Sequence, residues 1–220
     1  MRLKAVIFDL DGTLVDSAPD LMLATNHVLA RLDRRAITIE EVRSFVGHGA
    51  RALIARGCAA TGEKIDEKTL VHSHAEFLRY YEKNIAVNSA AFPGVVTLLD
   101  RCAASGIKMG VCTNKAEGLS VRLLQALDMT KYFGAIVGPD TIRIAKPDPA
   151  PYLETLMRLG VAAQNSLMVG DSETDILTAK AAKVPVIAVT FGYTAKPVTD
   201  FSPDYVVSHF NEIWDILLKY

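Results

Sequence analysis

Apolar and polar positions along this chain follow two rhythms. Short apolar or β-branched runs end in polar residues, and amphipathic stretches at helical spacing separate them. The first run, residues 4–9 (KAVIFD), predicts a buried strand that ends on Asp9 and, one residue further, Asp11. From 15 to 85 only helical spacing appears. SAPDLMLATNHVLARL predicts a helix with Ser17 or Asp16 as N-cap and Pro19 in its first turn. Thr38 and Glu41 predict a capping box at the head of the next. GARALIARGCAATG and DEKTLVHSHAEFLRYYEKN predict two more helices.

From Phe92 onward the rhythm changes. A helix opens at Pro93-Gly94 and runs to about Ala104. Strands KMGVCTN, FGAIVG, SLMVGD and VPVIAVT then alternate with helices EGLSVRLLQALDM, PAPYLETLMRLG and SETDILTAKAAK. DYVVS predicts a last strand before the helix FNEIWDILLKY. Such alternation predicts right-handed crossovers and a parallel sheet covered on both faces. The expected fold class is α/β: a core of residues 1–14 and 86–220, with an inserted all-helical module of residues 15–85.

Composition narrows the function classes. Half of the 220 residues are hydrophobic (50%), enough for a sizeable core. The formal net charge of -1 gives no electrostatic footprint for nucleic acid. The run RLDRR (31–35) reads as a solvated helix end, its arginines near the negative pole. Cys58, Cys102 and Cys112 form no C-x-x-C and are expected as reduced thiols of a cytoplasmic protein. The apolar part of MRLKAVIFDLD is too short for a signal peptide and runs straight into acids. No segment reaches the ~18 apolar residues of a membrane span. A monomer or homodimer with no membrane partner is expected.

In open parallel sheets, ligands sit at the carboxyl ends of the strands. Asp9 and Asp11, then Thr113–Lys115 (TNK), then Gly170–Asp175 (GDSETD) would all leave strands at that edge. Carboxylates brought together there repel unless a cation neutralises them. Magnesium, a hard cation with oxygen ligands, suits Asp9, Asp11 and Asp171, one of them through its main-chain carbonyl. Magnesium favours phosphate oxygens as further ligands, and Thr113 and Lys146 offer a hydroxyl and an ammonium to a phosphate. A carboxylate facing phosphorus can act as a nucleophile. A second one, two residues on and pointing to the same side of extended backbone, can protonate the leaving oxygen and then activate water. Each cluster also has a plainer reading. D-x-D-G occurs in turns, Asp171 and Asp175 suit a helix start, and most lysines are solvated. The joint occurrence at successive strand ends favours the chemical reading.

The sequence resembles the haloacid dehalogenase-like hydrolases in their phosphatase branch. FDLDGTLVDS is similar to the first motif, CTNK to the second, Lys146-Pro147 to the third and VGDSETD to the fourth. The resemblance implies a Rossmann-like parallel sheet with a mobile helical cap. It implies Asp9 as nucleophile and Mg2+ ligand, and Asp11 as general acid/base lending its main-chain carbonyl to the metal. Asp171 would be the remaining metal ligand, with Asp175 behind it orienting water or Lys146. Thr113 and the Asn114 backbone would hold phosphate while Lys146 neutralises its charge.

Within that family the chain looks most like phosphoglycolate phosphatases, on FVGHGARALI and GDSETDILTAKAAKVPVIAVTFGY. In the first stretch Gly47 and Gly49 allow backbone N–H groups to approach an anion. His48 can donate a hydrogen bond, and Arg51 can pair with a carboxylate. Against this, Arg51 on a solvated helix face and glycines that only make a turn are an almost equal alternative. His72, His74 and His209 read as surface residues. The expected partner is a small phosphorylated metabolite, first 2-phosphoglycolate. Pyrophosphatase, nucleotide or sugar-phosphate phosphatase and phosphosugar mutase remain alternatives with the same motifs. A receiver domain lacks an acid two residues after its aspartate, and GHGARA, though it fits G-x-G-x-x-A, follows a helix-like stretch rather than a strand.

Overall fold

The computed structural model describes residues 3–220. β1 (Ala5–Phe8) is the run AVIF, buried throughout. A central parallel strand needs apolar side chains on both faces. Val6 and Phe8 enter one hydrophobic core, and Ala5 and Ile7 enter the other. The short β2 (Val15–Asp16) leads into α1 (Ala18–Arg31), α2 (Ile39–Phe45), α3 (Ala50–Thr61) and α4 (Glu67–Lys83). β3 (Ala90–Ala91) then returns antiparallel to β2.

The rest of the chain alternates: α5 (Val95–Ala104), β4 (Lys108–Cys112), α6 (Glu117–Ala126), β5 (Ala135–Val137), α7 (Pro139–Ile142), α8 (Ala150–Leu159), β6 (Ser166–Gly170), α9 (Glu173–Ala182), β7 (Val186–Val189), β8 (Tyr205–Val207) and α10 (Phe210–Leu217). The six-stranded sheet has the order β5-β4-β1-β6-β7-β8, and each neighbouring pair is parallel. α5 and α10 cover one face through Leu98, Leu99, Phe210 and Ile213, while α8 and α9 cover the other through Tyr152, Leu156, Ile176 and Ala179. This is the α/β fold expected, with β1 near the centre and a helical block inserted after it. Phe8 lies opposite both Val111 and Val169, so the residues after β1, β4 and β6 emerge side by side.

The helical block has its own core of Leu21, Val28, Leu29, Val42, Leu53, Ile54, Phe77 and Tyr81. Leu119 and Tyr193 reach into it from the sheet side. Its capping box forms as the pattern predicts: Glu41 N donates to Thr38 Oγ1 and Thr38 N to Glu41 Oε2. Three features differ from the sequence reading. Val15 and Asp16 are extended, because two residues per strand are too few to leave a periodic signal. Ser17 occupies the N-cap position of α1, yet its hydroxyl donates to Asp11 Oδ1 at 2.5 Å, and Ala18 N donates to Tyr193 Oη at 2.9 Å instead. Arg34 and Arg35 are not simply solvated at the end of α1. Arg34 donates to the carbonyls of Cys58 and Glu63, and Arg35 to that of Ala60, where the unpaired carbonyls of α3 need donors.

The G-x-G-x-x-A stretch begins in the loop after α2 and ends in the first turn of α3; a helix rather than a strand precedes it, so the dinucleotide-binding context is absent. The three cysteines are buried and unpaired. Among the described residues no helix is long and apolar enough to cross a membrane.

Candidate active site

The strand ends deliver three of the expected acids to one place. Oxygens of Asp9, Asp171 and Asp175 lie within 4.8 Å of one another, all buried. Lys146 arrives from the loop before α8 and is 4% exposed. Its Nζ donates to Asp9 Oδ1 at 2.7 Å and to Asp175 Oδ1 at 2.5 Å. Asp175 is spent on this framework, since its Oδ2 also accepts from Asp171 N, Ser172 N and the Ser172 hydroxyl. Asp171 accepts from Thr13 Oγ1 at 2.7 Å on one oxygen and from Tyr193 N at 2.6 Å on the other. A Cβ added at Gly192 would sit 2.2 Å from Asp171 Cβ, so only glycine lets the chain pass there. Asp9, which lines the cavity, engages only Oδ1 and leaves Oδ2 without a hydrogen-bond partner.

Asp11 faces the same cavity from the other side. Lys115 Nζ lies 3.0 Å from each of its oxygens, and Ser17 fixes its direction. Thr113, 3% exposed, accepts from Lys115 N and keeps its own O–H for a ligand. Asn114 works through its side chain: Nδ2 donates to the carbonyls of Gly47 and Lys146, and Oδ1 accepts from Lys146 N. It therefore ties the 46–49 loop of the helical block to the Lys146 loop. Gly49 lies beneath that tie with φ +81, and a Cβ there would come 3.2 Å from the Asn114 carbonyl oxygen. His48, Arg51 and His74 line the cavity as well. Arg51 forms an ion pair with Glu67, its side chain 47% exposed. His74 was expected at the surface but is half-buried against the cavity, and burial draws its imidazole below the ordinary value. His72 is exposed, and His209 caps α10 by accepting from Asn211 N.

The electrostatics call for a cation. Burial, against the pull of Lys146, pushes the Asp9 carboxyl up to about 7. Burial and then the charge of Asp9 push Asp171 well above the carboxylate range. Burial opposes the charge on Lys146, but Asp175 and Asp9 hold it above its ordinary value. Lys115 is raised likewise, burial again opposing and Asp11 prevailing. With all four ionised, Asp9, Asp11, Asp171 and Asp175 would carry two more charges than Lys115 and Lys146 can balance. A divalent cation with oxygen ligands fits that deficit and that donor set.

The cavity above these groups has a volume of about 300 Å3. Its upper wall is apolar, made by Leu21, Val46, Leu53, Phe77, Leu78 and Leu119. Tyr81, 1% exposed, sits in that wall with a hydroxyl that has no hydrogen-bond partner. An unsatisfied buried hydroxyl costs about 1–3 kcal/mol. Burial pushes its phenol up to about 12, so it remains a donor.

A family model described as haloacid dehalogenase-like hydrolase matches residues 6–189. The chain belongs to the haloacid dehalogenase-like hydrolases. This hydrolase is 45% identical over 213 residues to the phosphoglycolate phosphatase of Mesorhizobium japonicum, covering 97% of this chain and 94% of that one. It is 43% identical over 218 residues to that of Rhodospirillum rubrum, covering 97% and 90%. A crystal structure of a predicted phosphoglycolate phosphatase from Haemophilus somnus superposes with a TM-score of 0.92 at 30% identity, covering 98% of each chain. The chain is a phosphoric monoester hydrolase.

Four residues that the sequence alone assigns no role help to build this hydrolase's site. Lys115 stands inside CTNK, but only the fold aims it at Asp11. Thr13 and Tyr193 grip Asp171 from 158 and 22 residues away. Asp20, 1% exposed, accepts from Asn88 and Ser89, pinning the return of the chain beside the β2–β3 ribbon.

The Asp9 shift has a consequence for stability. The folded chain holds a proton up to about 7 that the unfolded chain releases near 3.8. Folded protein therefore binds more protons across that window, and stability falls as pH rises through it. Thermal melts in chelator between pH 4 and pH 8 are expected to show this decline for the parent and a weaker one for Asp9→Asn. Identical profiles for the two proteins would contradict it.

Proposed function

We propose that this hydrolase removes phosphate from 2-phosphoglycolate through an aspartyl-phosphate on Asp9, with Mg2+ as cofactor. Asp9, Asp171 and the main-chain carbonyl of Asp11 would hold the ion. Bound there, Mg2+ supplies positive charge opposite the phosphoryl oxygens. Asp9 attacks phosphorus, and Asp11 protonates the departing glycolate oxygen. Asp11 then takes a proton from the water that attacks the acyl phosphate, and inorganic phosphate leaves. Thr113, the Asn114 backbone and Lys146 hold the phosphoryl oxygens, while Asp175 keeps Lys146 in place. Residues 15–85 form a cap over the core of 1–14 and 86–220. Its closure brings Gly47, His48, Gly49 and Arg51 over the substrate and excludes bulk water.

The observation that carries this reading is the pair of carboxylates facing one cavity. Asp9 has an oxygen free beside Lys146, and Asp11 stands across from it, oriented by Lys115 and Ser17. The relatives named phosphoglycolate phosphatase support the substrate. A phosphate-release screen over 2-phosphoglycolate, pyrophosphate, nucleoside monophosphates and sugar phosphates tests it. 2-Phosphoglycolate is expected to lead in kcat/KM by at least about 10-fold, the scale of one well-made polar contact. Chelator should abolish turnover and Mg2+ restore it. Activity that survives exhaustive chelation, or a different leading ester, would refute the corresponding part.

A further inference from the structure

We propose that Tyr81 and Lys115 together form the subsite that reads the carboxylate on the leaving-group side of the substrate. The proposal rests on the 2-phosphoglycolate reading above and names the residues behind it. Among the described residues, Tyr81 Oη is the buried side-chain polar atom left without a hydrogen-bond partner. It belongs to the last turn of α4, is 1% exposed, and lines the same cavity as Asp9 and Asp11. Lys115, 8% exposed, leaves the carboxyl end of β4 and places its Nζ 4.6 Å from the centre of the Tyr81 ring. The ammonium spends N–H groups on Asp11 Oδ1 and Oδ2, each at 3.0 Å, and has three to give.

An O–H donor and an ammonium thus flank the Asp11 side of the cavity. The leaving oxygen must meet Asp11 on that side to receive its proton. In 2-phosphoglycolate the carboxylate is a single methylene away from that oxygen. It would therefore lie close to Asp11, which becomes a carboxylate as it gives up its proton and would then repel it. Lys115 stands where it can serve both anions, and Tyr81 supplies a neutral donor to the second. Leu21, Leu53, Phe77, Leu78 and Leu119 make the apolar part of the wall, where a donor acts in a low dielectric and counts for more than in water. Arg51, a cation that the helical block contributes to the cavity, is engaged by Glu67.

Tyr81→Phe deletes Oη alone and keeps the ring stacked on Phe77. The test measures kcat and KM on 2-phosphoglycolate and on ethyl phosphate, which has a methyl group in place of the carboxylate. The parent enzyme is expected to prefer 2-phosphoglycolate strongly. Tyr81→Phe is expected to lose about 10- to 100-fold in kcat/KM on 2-phosphoglycolate, mostly through KM, with less than about 3-fold change on ethyl phosphate. Its melting temperature should change little, since the hydroxyl makes no close hydrogen bond in the free protein and its polar neighbour, the Lys115 ammonium, keeps Asp11. Arg51→Ala should cost less than Tyr81→Phe on 2-phosphoglycolate. Equal losses on both esters, undiminished preference in Tyr81→Phe, or a clearly lower melting temperature would overturn the subsite alone. A parent enzyme with no preference for 2-phosphoglycolate over ethyl phosphate would overturn the substrate reading and this subsite with it.

Discussion

Asp9→Asn is expected to lower phosphate release by at least about four orders of magnitude in kcat/KM, the scale on which loss of a covalent nucleophile acts. An amide oxygen is a poor nucleophile, and no second carboxylate can take its place. Asp171 is held by Thr13 and Tyr193, and Asp175 by Lys146 and the turn at Ser172. The fold should survive. Asp9 is a buried acid whose charge is disfavoured by its surroundings, and Asn still accepts from Lys146. In chelator the variant should melt at or above the parent temperature, because a buried charge has been removed. Near-normal turnover by a folded Asp9→Asn protein would end the aspartyl-phosphate mechanism.

Lys146→Met should fail in a different way, losing both turnover and stability. The ammonium is 4% exposed and lies between Asp9 and Asp175. Methionine fills similar space but leaves the acids without their shared cation. Removing one partner of a buried pair costs about 3–5 kcal/mol, because the remaining charge stays desolvated. The loss should be larger at pH 8 than at pH 5, where the stranded carboxyls can take up protons. Mg2+ should restore more stability to this variant than to the parent, since it supplies charge to the same acids. Equal denaturant midpoints for variant and parent in chelator would show that Lys146 does not neutralise the cluster. Turnover close to that of the parent would remove Lys146 from the phosphate site.

Both variants probe residues visible in the sequence, and the reason is local. A run such as AVIF followed by acids marks a strand end, whatever the rest of the chain does. The order of such ends along the chain predicted that Asp9, Thr113 and Asp171 would share an edge. The register of β1 against β4 and β6 places them there. The capping box at Thr38 was legible for the same reason, since its partners are three residues apart. Ser17 misled because its hydroxyl had a choice. Its local role as a cap lost to Asp11, a partner that only the fold brings near.

The sequence by itself determined the α/β class, the inserted helical block and the acids at the strand ends. These follow from hydrophobic periodicity and from turn and cap chemistry, which act over a few residues. Only the tertiary structure decided which cation serves which acid: Lys146 serves Asp9 and Asp175, while Lys115 serves Asp11. It alone turned the side chain of Asn114 toward Gly47, engaged Arg51 with Glu67 and left the Tyr81 hydroxyl buried in the cavity wall without a hydrogen-bond partner. Charge pairing and desolvation depend on distance in space, and the paired groups here lie up to 137 residues apart along the chain.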